Sequence, residues 1–143
     1  MAKCTVQLPT NLLVRLSKLG QKTDMICERA LEESAEIVYQ KMKSNLHNVI
    51  GKNTKVKSRS TGELVAALGI SPVKLDNNGN YNIKVGFAEP RTDGVPNGKI
   101  AAILEYGKQG QAPKPFMKPA KISTRKRAIE KMQTVLEEEV DRL

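Results

Sequence analysis

The stretch Asp76–Ala88, DNNGNYNIKVGFA, decides the fold class, because a chain otherwise rich in helical patterns commits here to strands. Asn78-Gly79 is the residue pair that accepts positive φ at both central positions of a type I′ turn, so a β-hairpin is expected at this point. After the turn, Tyr81, Ile83, Val85 and Phe87 alternate with Asn82, Lys84 and Gly86, the two-residue period of a strand with one apolar face. Upstream, Glu63–Asp76, ELVAALGISPVKLD, reads as a short turn followed by the partner strand. Ile70, Val73 and Leu75 supply its apolar contacts, and Ser71-Pro72 marks a bulge, since proline cannot donate to a strand ladder.

Helical patterns flank this hairpin. From Thr23 to about Leu46 the residues Ile26, Ala30, Ile37, Val38, Met42 and Leu46 recur at three- and four-residue steps, with Glu28, Glu32, Glu33, Lys41 and Lys43 on the other faces. Thr23 or Asp24 is the expected cap, and the preceding LPTNLLVRLSKLG reads as a shorter helix or hinge ending at Gly20. Beyond the sheet, KIAAILEYG places Ile100, Ile103 and Leu104 on one side of a short helix closed by Gly107. From about Pro119 to Leu143 the stripe Ile122, Ile129, Met132, Leu136, Val140 and Leu143 predicts a long helix, with Pro119 tolerable only in its first turn. The order predicts one α+β domain over residues 1–143: long N-terminal helix, small antiparallel sheet with a hairpin, short helix, long C-terminal helix. Two appendages are expected, an exposed basic loop at 51–62 and a proline-rich arm at 108–119.

Composition narrows the class. At 143 residues, 39% hydrophobic but only 3% aromatic and without Trp, the chain must build its core from Leu, Ile, Val, Ala and Met, which is lean and favours burial against partner subunits. Cys4 and Cys27 form no CxxC pair and lie near no histidine cluster, so neither a zinc site nor a disulfide framework is suggested. No segment approaches the eighteen or so unbroken apolar residues of a membrane span, and the first residues lack the apolar centre of a signal peptide, so a soluble, unexported protein is expected.

Catalytic and cofactor patterns are missing from the sequence. The single histidine, His47, has no cysteine or carboxylate constellation, and no GxSxG, HExxH or Walker pattern occurs. The reading is a non-enzyme with no cofactor and no metal. The net charge of +9 points instead to a polyanion or an acidic protein partner. Lys52, Lys55, Lys57 and Arg59 cluster without an acid, and residues 99–131 carry nine Lys/Arg against only Glu105 and Glu130. These are either a solvated face or a contact with duplex DNA or an acidic ring; no aromatics are interleaved for stacking on single strands.

One of only two phenylalanines stands in Ala112–Ala120, APKPFMKPA. Pro113, Pro115 and Pro119 fix their own φ and push their predecessors toward extended geometry, so a stiff segment is expected that holds Phe116 in one place. Two uses remain open: Phe116 packs under the last helix of its own chain, or it anchors in a neighbouring subunit.

These residues also carry a resemblance. Ile100–Ala120, IAAILEYGKQGQAPKPFMKPA, resembles the signature of the phage minor-tail or neck protein family typified by the tenth gene product of lambda-like siphophages of the HK-ninety-seven type. Ser60–Ser71, STGELVAALGIS, is similar to that family's step from loop to first strand, although Leu68-Gly69-Ile70 replaces the more usual Ser-Ile pair. The resemblance implies a structural virion protein that forms a ring, sixfold in expectation, at the head-proximal end of a tail, acting in tail completion or head-tail joining. Implied partners are copies of itself, the tail tube or terminator and a head-closure protein, with location in the virion after assembly in the host cytoplasm. On this reading Glu105, Tyr106, Lys114, Pro115, Phe116, Met117, Lys118 and Pro119 form the interface, and Lys52, Lys55, Lys57 and Arg59 the contact with DNA or an acidic partner. The alternatives are a tail terminator of the same assembly or a basic accessory protein that binds double-stranded DNA.

Overall fold

The computed structural model describes residues 10–50, 62–88 and 96–143. Among these described residues four helices and four short strands follow in the order α1 (Thr10–Val49), α2 (Glu63–Ala67), β1 (Leu68–Ile70), β2 (Lys74–Leu75), β3 (Tyr81–Asn82), β4 (Val85–Phe87), α3 (Asn97–Tyr106) and α4 (Met117–Asp141). The expected α+β class, with long helices at both ends and a small antiparallel sheet between them, is what the chain adopts.

The first helix is longer than its periodicity suggests. No break occurs at Gly20: α1 runs 40 residues through it. A lone glycine costs a helix only about 1 kcal/mol relative to alanine, and no proline follows to enforce a stop. Thr23 is therefore not a cap but a mid-helix residue whose hydroxyl donates to the Leu19 carbonyl at 2.8 Å.

The hairpin forms, with two changes. Its turn is set by Asp76: the Gly79 N–H donates to the Asp76 carbonyl at 3.1 Å, and the Asp76 N–H donates to the Asn80 carbonyl at 2.9 Å. That makes a three-residue loop, not the two-residue type I′ turn, with Gly79 at φ 81°. The Asp76 carboxylate fixes it by accepting the N–H groups of Asn78 and Asn80. The bulge falls where Ser71-Pro72 predicts it. Ile70 pairs with Val85 and Lys74 with Asn82, leaving three residues on the first strand against two on the second. Ser71 bridges the gap, donating its N–H to the Lys84 carbonyl while its hydroxyl accepts the Lys84 N–H.

The main core gathers the C-terminal part of α1, α2, the base of the hairpin, α3 and the start of α4 around Met42, Leu46, Leu64, Leu68, Ala101, Phe116 and Ala120. The two phenylalanines meet there edge to face, Phe87 and Phe116 having ring centroids 6.0 Å apart at 72°. Asn97, buried at the start of α3, donates to the Ala88 carbonyl and ties that helix to the end of β4.

Helices α1 and α4 lie antiparallel: Asn45 reaches the Phe116 carbonyl at one end, and Arg29 pairs with Glu138 and Glu139 at the other. Their seam buries small residues, Ala30, Ser34 and Ala35 on α1 with Ala120, Thr124 and Ala128 on α4. The stripe predicts α4 as a helix, and the helix forms, but only part of the stripe turns inward. Ile122, Ile129 and Leu136 are 69%, 44% and 40% exposed, whereas Val135 and the small residues face inward. Short side chains let the two helices approach closely, and a row of branched residues would hold them apart.

Candidate assembly surface

The resemblance-bearing residues form a clasp between two helices. Glu105, in the last turn of α3 and 5% exposed, accepts three backbone N–H groups at the start of α4. Its Oε2 takes those of Phe116 and Met117 at 2.8 and 2.9 Å, and its Oε1 takes that of Lys118 at 2.9 Å. The first N–H groups of a helix have no intrahelical partner and carry the positive end of its dipole, so one carboxylate answers both needs. Burial by itself would push the Glu105 carboxyl up; the three N–H bonds and the nearby Lys118 charge more than offset it and hold its pKa below the usual carboxylate value.

The segment between the two helices is tied down as tightly. Gly107 closes α3 at φ 80°, its N–H donating to the Ile103 carbonyl at 2.8 Å. A Cβ there would lie 2.9 Å from both the Gln111 carbonyl oxygen and the Pro113 nitrogen, so the position admits only glycine. Lys108 and Gln111 bridge in antiparallel fashion around a tight turn with Gly110 at φ 81°, and the Lys114 N–H donates to the Leu104 carbonyl at 2.6 Å. The stretch read as a projecting arm is a bracket folded back on α3.

Of the two uses left open for Phe116, the structure shows the first: it is 0% exposed in its own chain's core, not held out toward a neighbour. Glu105 likewise turns inward. Tyr106, 77% exposed, and Pro115, Lys118 and Pro119 stay on the surface, with Lys114 and Met117 half-buried. Lys52, Lys55, Lys57 and Arg59 lie outside the described residues.

Beside the clasp runs an open groove of about 890 Å³ between α1, the hairpin and α4. Its apolar walls include Leu31 and Val38 of α1, Ile83 and Val85 of the hairpin, and Ile122 and Met132 of α4. Tyr106, Lys118, Lys121 and Arg125 also line it. The hairpin is pinned to α1 near its tip, where the Tyr81 hydroxyl donates to Asp24 Oδ1. That bond, with some burial and the acidic surroundings, pushes the Tyr81 phenol up to about 12.

Sequence reading used Ile122 only as part of the stripe that predicts a helix, and it counted Lys121 and Arg125 only among the nine basic residues of 99–131, without setting them beside an apolar surface. One signal could have found them: Ile122, Ile129 and Leu136 recur every seven residues, whereas Ala120, Thr124 and Ala128 recur every four and mark the inward face. Among the described residues no cluster of His, Cys, Asp or Glu is arranged to hold a metal ion, and no helix is long and apolar enough to cross a membrane. What the surface offers is apolar contact flanked by fixed positive charge.

No curated protein and no solved structure gives a significant match to the chain. A family model described as "Bacteriophage HK97-gp10, putative tail-component" matches residues 11–107. The match spans α1, the hairpin and α3 through Glu105-Tyr106-Gly107, and it stops before Pro115–Ala120, the other half of the clasp. Because the matched span is well over half of the 143 residues, the chain belongs to the HK97-gp10-like family of bacteriophage tail components.

Proposed function

We propose that this tail component is a structural, non-enzymatic subunit that works at the head-proximal end of a phage tail. There it joins copies of itself in a ring, sixfold in the simplest case, and completes the tail or connects it to the head. The observation that carries this reading is the large unpartnered surface at the groove. Tyr106 and Ile122 are 77% and 69% exposed in a chain whose aromatic content is only 3%, and a closed ring would bury them. The bracket between α3 and α4 holds that surface rigid, which lowers the entropy lost on docking. Besides the ring neighbours, the expected partners are the tail tube or terminator and the head-closure protein, in the virion after assembly in the host cytoplasm.

The test is electron microscopy of lysates from the source phage with this gene deleted. Full heads lying beside unattached tails of normal length support completion or joining, and tails of uncontrolled length point to a terminator. Normal infectious particles would sink the proposal.

A second reading, contact with duplex DNA, draws on the exposed Lys121, Arg125, Lys126 and Arg127 of α4. It requires duplex binding whose affinity falls steeply with added salt; a flat salt dependence rules it out.

A further inference from the structure

Helix α1 carries on its outer side a surface that matches the groove in charge and spacing. Glu28, Glu32 and Glu36 are exposed and recur every four residues, each two residues beyond buried Ile26, Ala30 and Ser34. Two residues turn a helix by about 200°, so the ridge faces away from Ile26, Ala30 and Ser34 of the α4 seam, and its Glu28 end borders the hairpin where Tyr81 meets Asp24. Met25, 54% exposed, stands at one end of the ridge as an apolar knob. Among the described residues Glu28 and Glu32 make no ion pair, and Glu36 takes only the Gln40 side-chain N–H, at 2.7 Å.

The groove presents the converse. Its walls are apolar, and Lys118, Lys121 and Arg125 stand along its α4 side. Lys121 and Arg125 form no ion pair with a described residue. At a rise of about 1.5 Å per residue, Lys121 to Arg125 spans about 6 Å, the same step as Glu28 to Glu32 and Glu32 to Glu36. Among the described residues of one copy no ridge carboxylate pairs with Lys118, Lys121 or Arg125, so ridge and groove are open at once.

We propose that the groove of one copy receives the acidic α1 ridge of the next. Glu28, Glu32 and Glu36 face Lys118, Lys121 and Arg125, and Met25 packs against the apolar wall beside Ile122. The contact is heterologous: each copy uses its ridge on one neighbour and its groove on the other, which closes into a ring when the rotation per copy allows. The inference rests on the ring reading and names the two surfaces that make it.

The test uses two full-length charge-reversed chains, one carrying Glu28→Lys, Glu32→Lys and Glu36→Lys, the other Lys121→Glu and Arg125→Glu. Lys118 is left in place because its charge helps hold the Glu105 carboxylate of the clasp. Circular dichroism establishes that both chains fold. Sedimentation velocity at chain concentrations up to about 1 mM and low salt then reads self-association. The wild type associates, and more weakly as salt rises. Each reversed chain alone is monomeric, and an equimolar mixture of the two regains association, because lysine ridges now meet glutamate grooves and native ridges meet native grooves. A wild type that stays monomeric, reversed chains that associate as the wild type does, or a mixture that fails to recover would overturn the inference.

Mass spectrometry of purified particles separates this from the tail reading. Wild-type chain in tails with no effect of either reversal removes the ridge-and-groove contact and leaves the tail role standing. Loss of incorporation in both reversals with a monomeric wild type assigns the groove to a different tail protein and also overturns the inference. Wild-type chain missing from tails removes the tail role itself.

Discussion

Replacing Glu105 with glutamine tests the clasp at nearly constant volume. The carboxylate accepts three N–H groups, two at Oε2 and one at Oε1. A glutamine carbonyl can keep Phe116 and Met117, but its NH2 group then faces the Lys118 N–H, donor against donor. One charge-assisted hydrogen bond is lost, at about 1.5–3 kcal/mol. The two survivors become neutral, and the favourable charge at the α4 N-terminus disappears, a further 0.3–1 kcal/mol or about that. The total comes to about 3 kcal/mol, a large share of the 5–15 kcal/mol or so that holds a domain folded.

Urea unfolding followed at 222 nm should show it. With a slope of about 1.5 kcal/mol per molar urea, the midpoint falls by about 2 M. A fall below about 0.3 M would mean that water or another group replaces Glu105 without loss, and the capping role would be refuted. Acid gives an independent check. The folded Glu105 carboxyl sits below its ordinary value of 4.5, so its stabilisation is fully present above that pH and is lost as pH drops through the lower folded value. The gap between wild type and Glu105→Gln should therefore be constant at neutral pH and narrow below about pH 4.5.

Four other outcomes follow from the same geometry. Phe116→Ala, at a site 0% exposed, should cost about 3–5 kcal/mol in urea unfolding, and a variant as stable as wild type would return Phe116 to the surface. Ile122→Ser, 69% exposed, should change stability by no more than about 0.5 kcal/mol yet abolish incorporation into tails, so tails that contain the variant normally count against the groove. Gly107→Ala combines a φ of 80° with a clash at 2.9 Å and should lose about 2 kcal/mol or more; a neutral effect would show that the bracket relaxes easily. Tyrosinate absorbance at 295 nm should show a late ionisation near pH 12 that Tyr81→Phe removes, and a wild-type titration complete by pH 11 or so would rule out the bond to Asp24.

The family, the class and the element order were legible because they rest on local patterns. Period-two alternation in Tyr81–Phe87, the bulge at Ser71-Pro72 and the stop at Gly107 each depend on a residue and its near neighbours. The turn at Asp76–Asn80 was legible in kind but not in type, since a carboxylate accepting two N–H groups selected a loop that Asn78-Gly79 alone does not specify. Gly20 misled for the converse reason, because an isolated glycine weakens a helix without ending one.

What sequence by itself determined, then, was the family, the order of helical and extended segments, and where proline and most glycines restrict the chain. Only the tertiary structure decided that Glu105 clasps the start of α4 and which side of α4 faces inward. The reason is physical. Glu105 acts on N–H groups eleven to thirteen residues away, and the facing of α4 depends on how closely the small residues of α1 let it approach. Periodicity tells that a helix has an apolar side; the neighbour's shape determines whether that side is buried in the chain or left open for another.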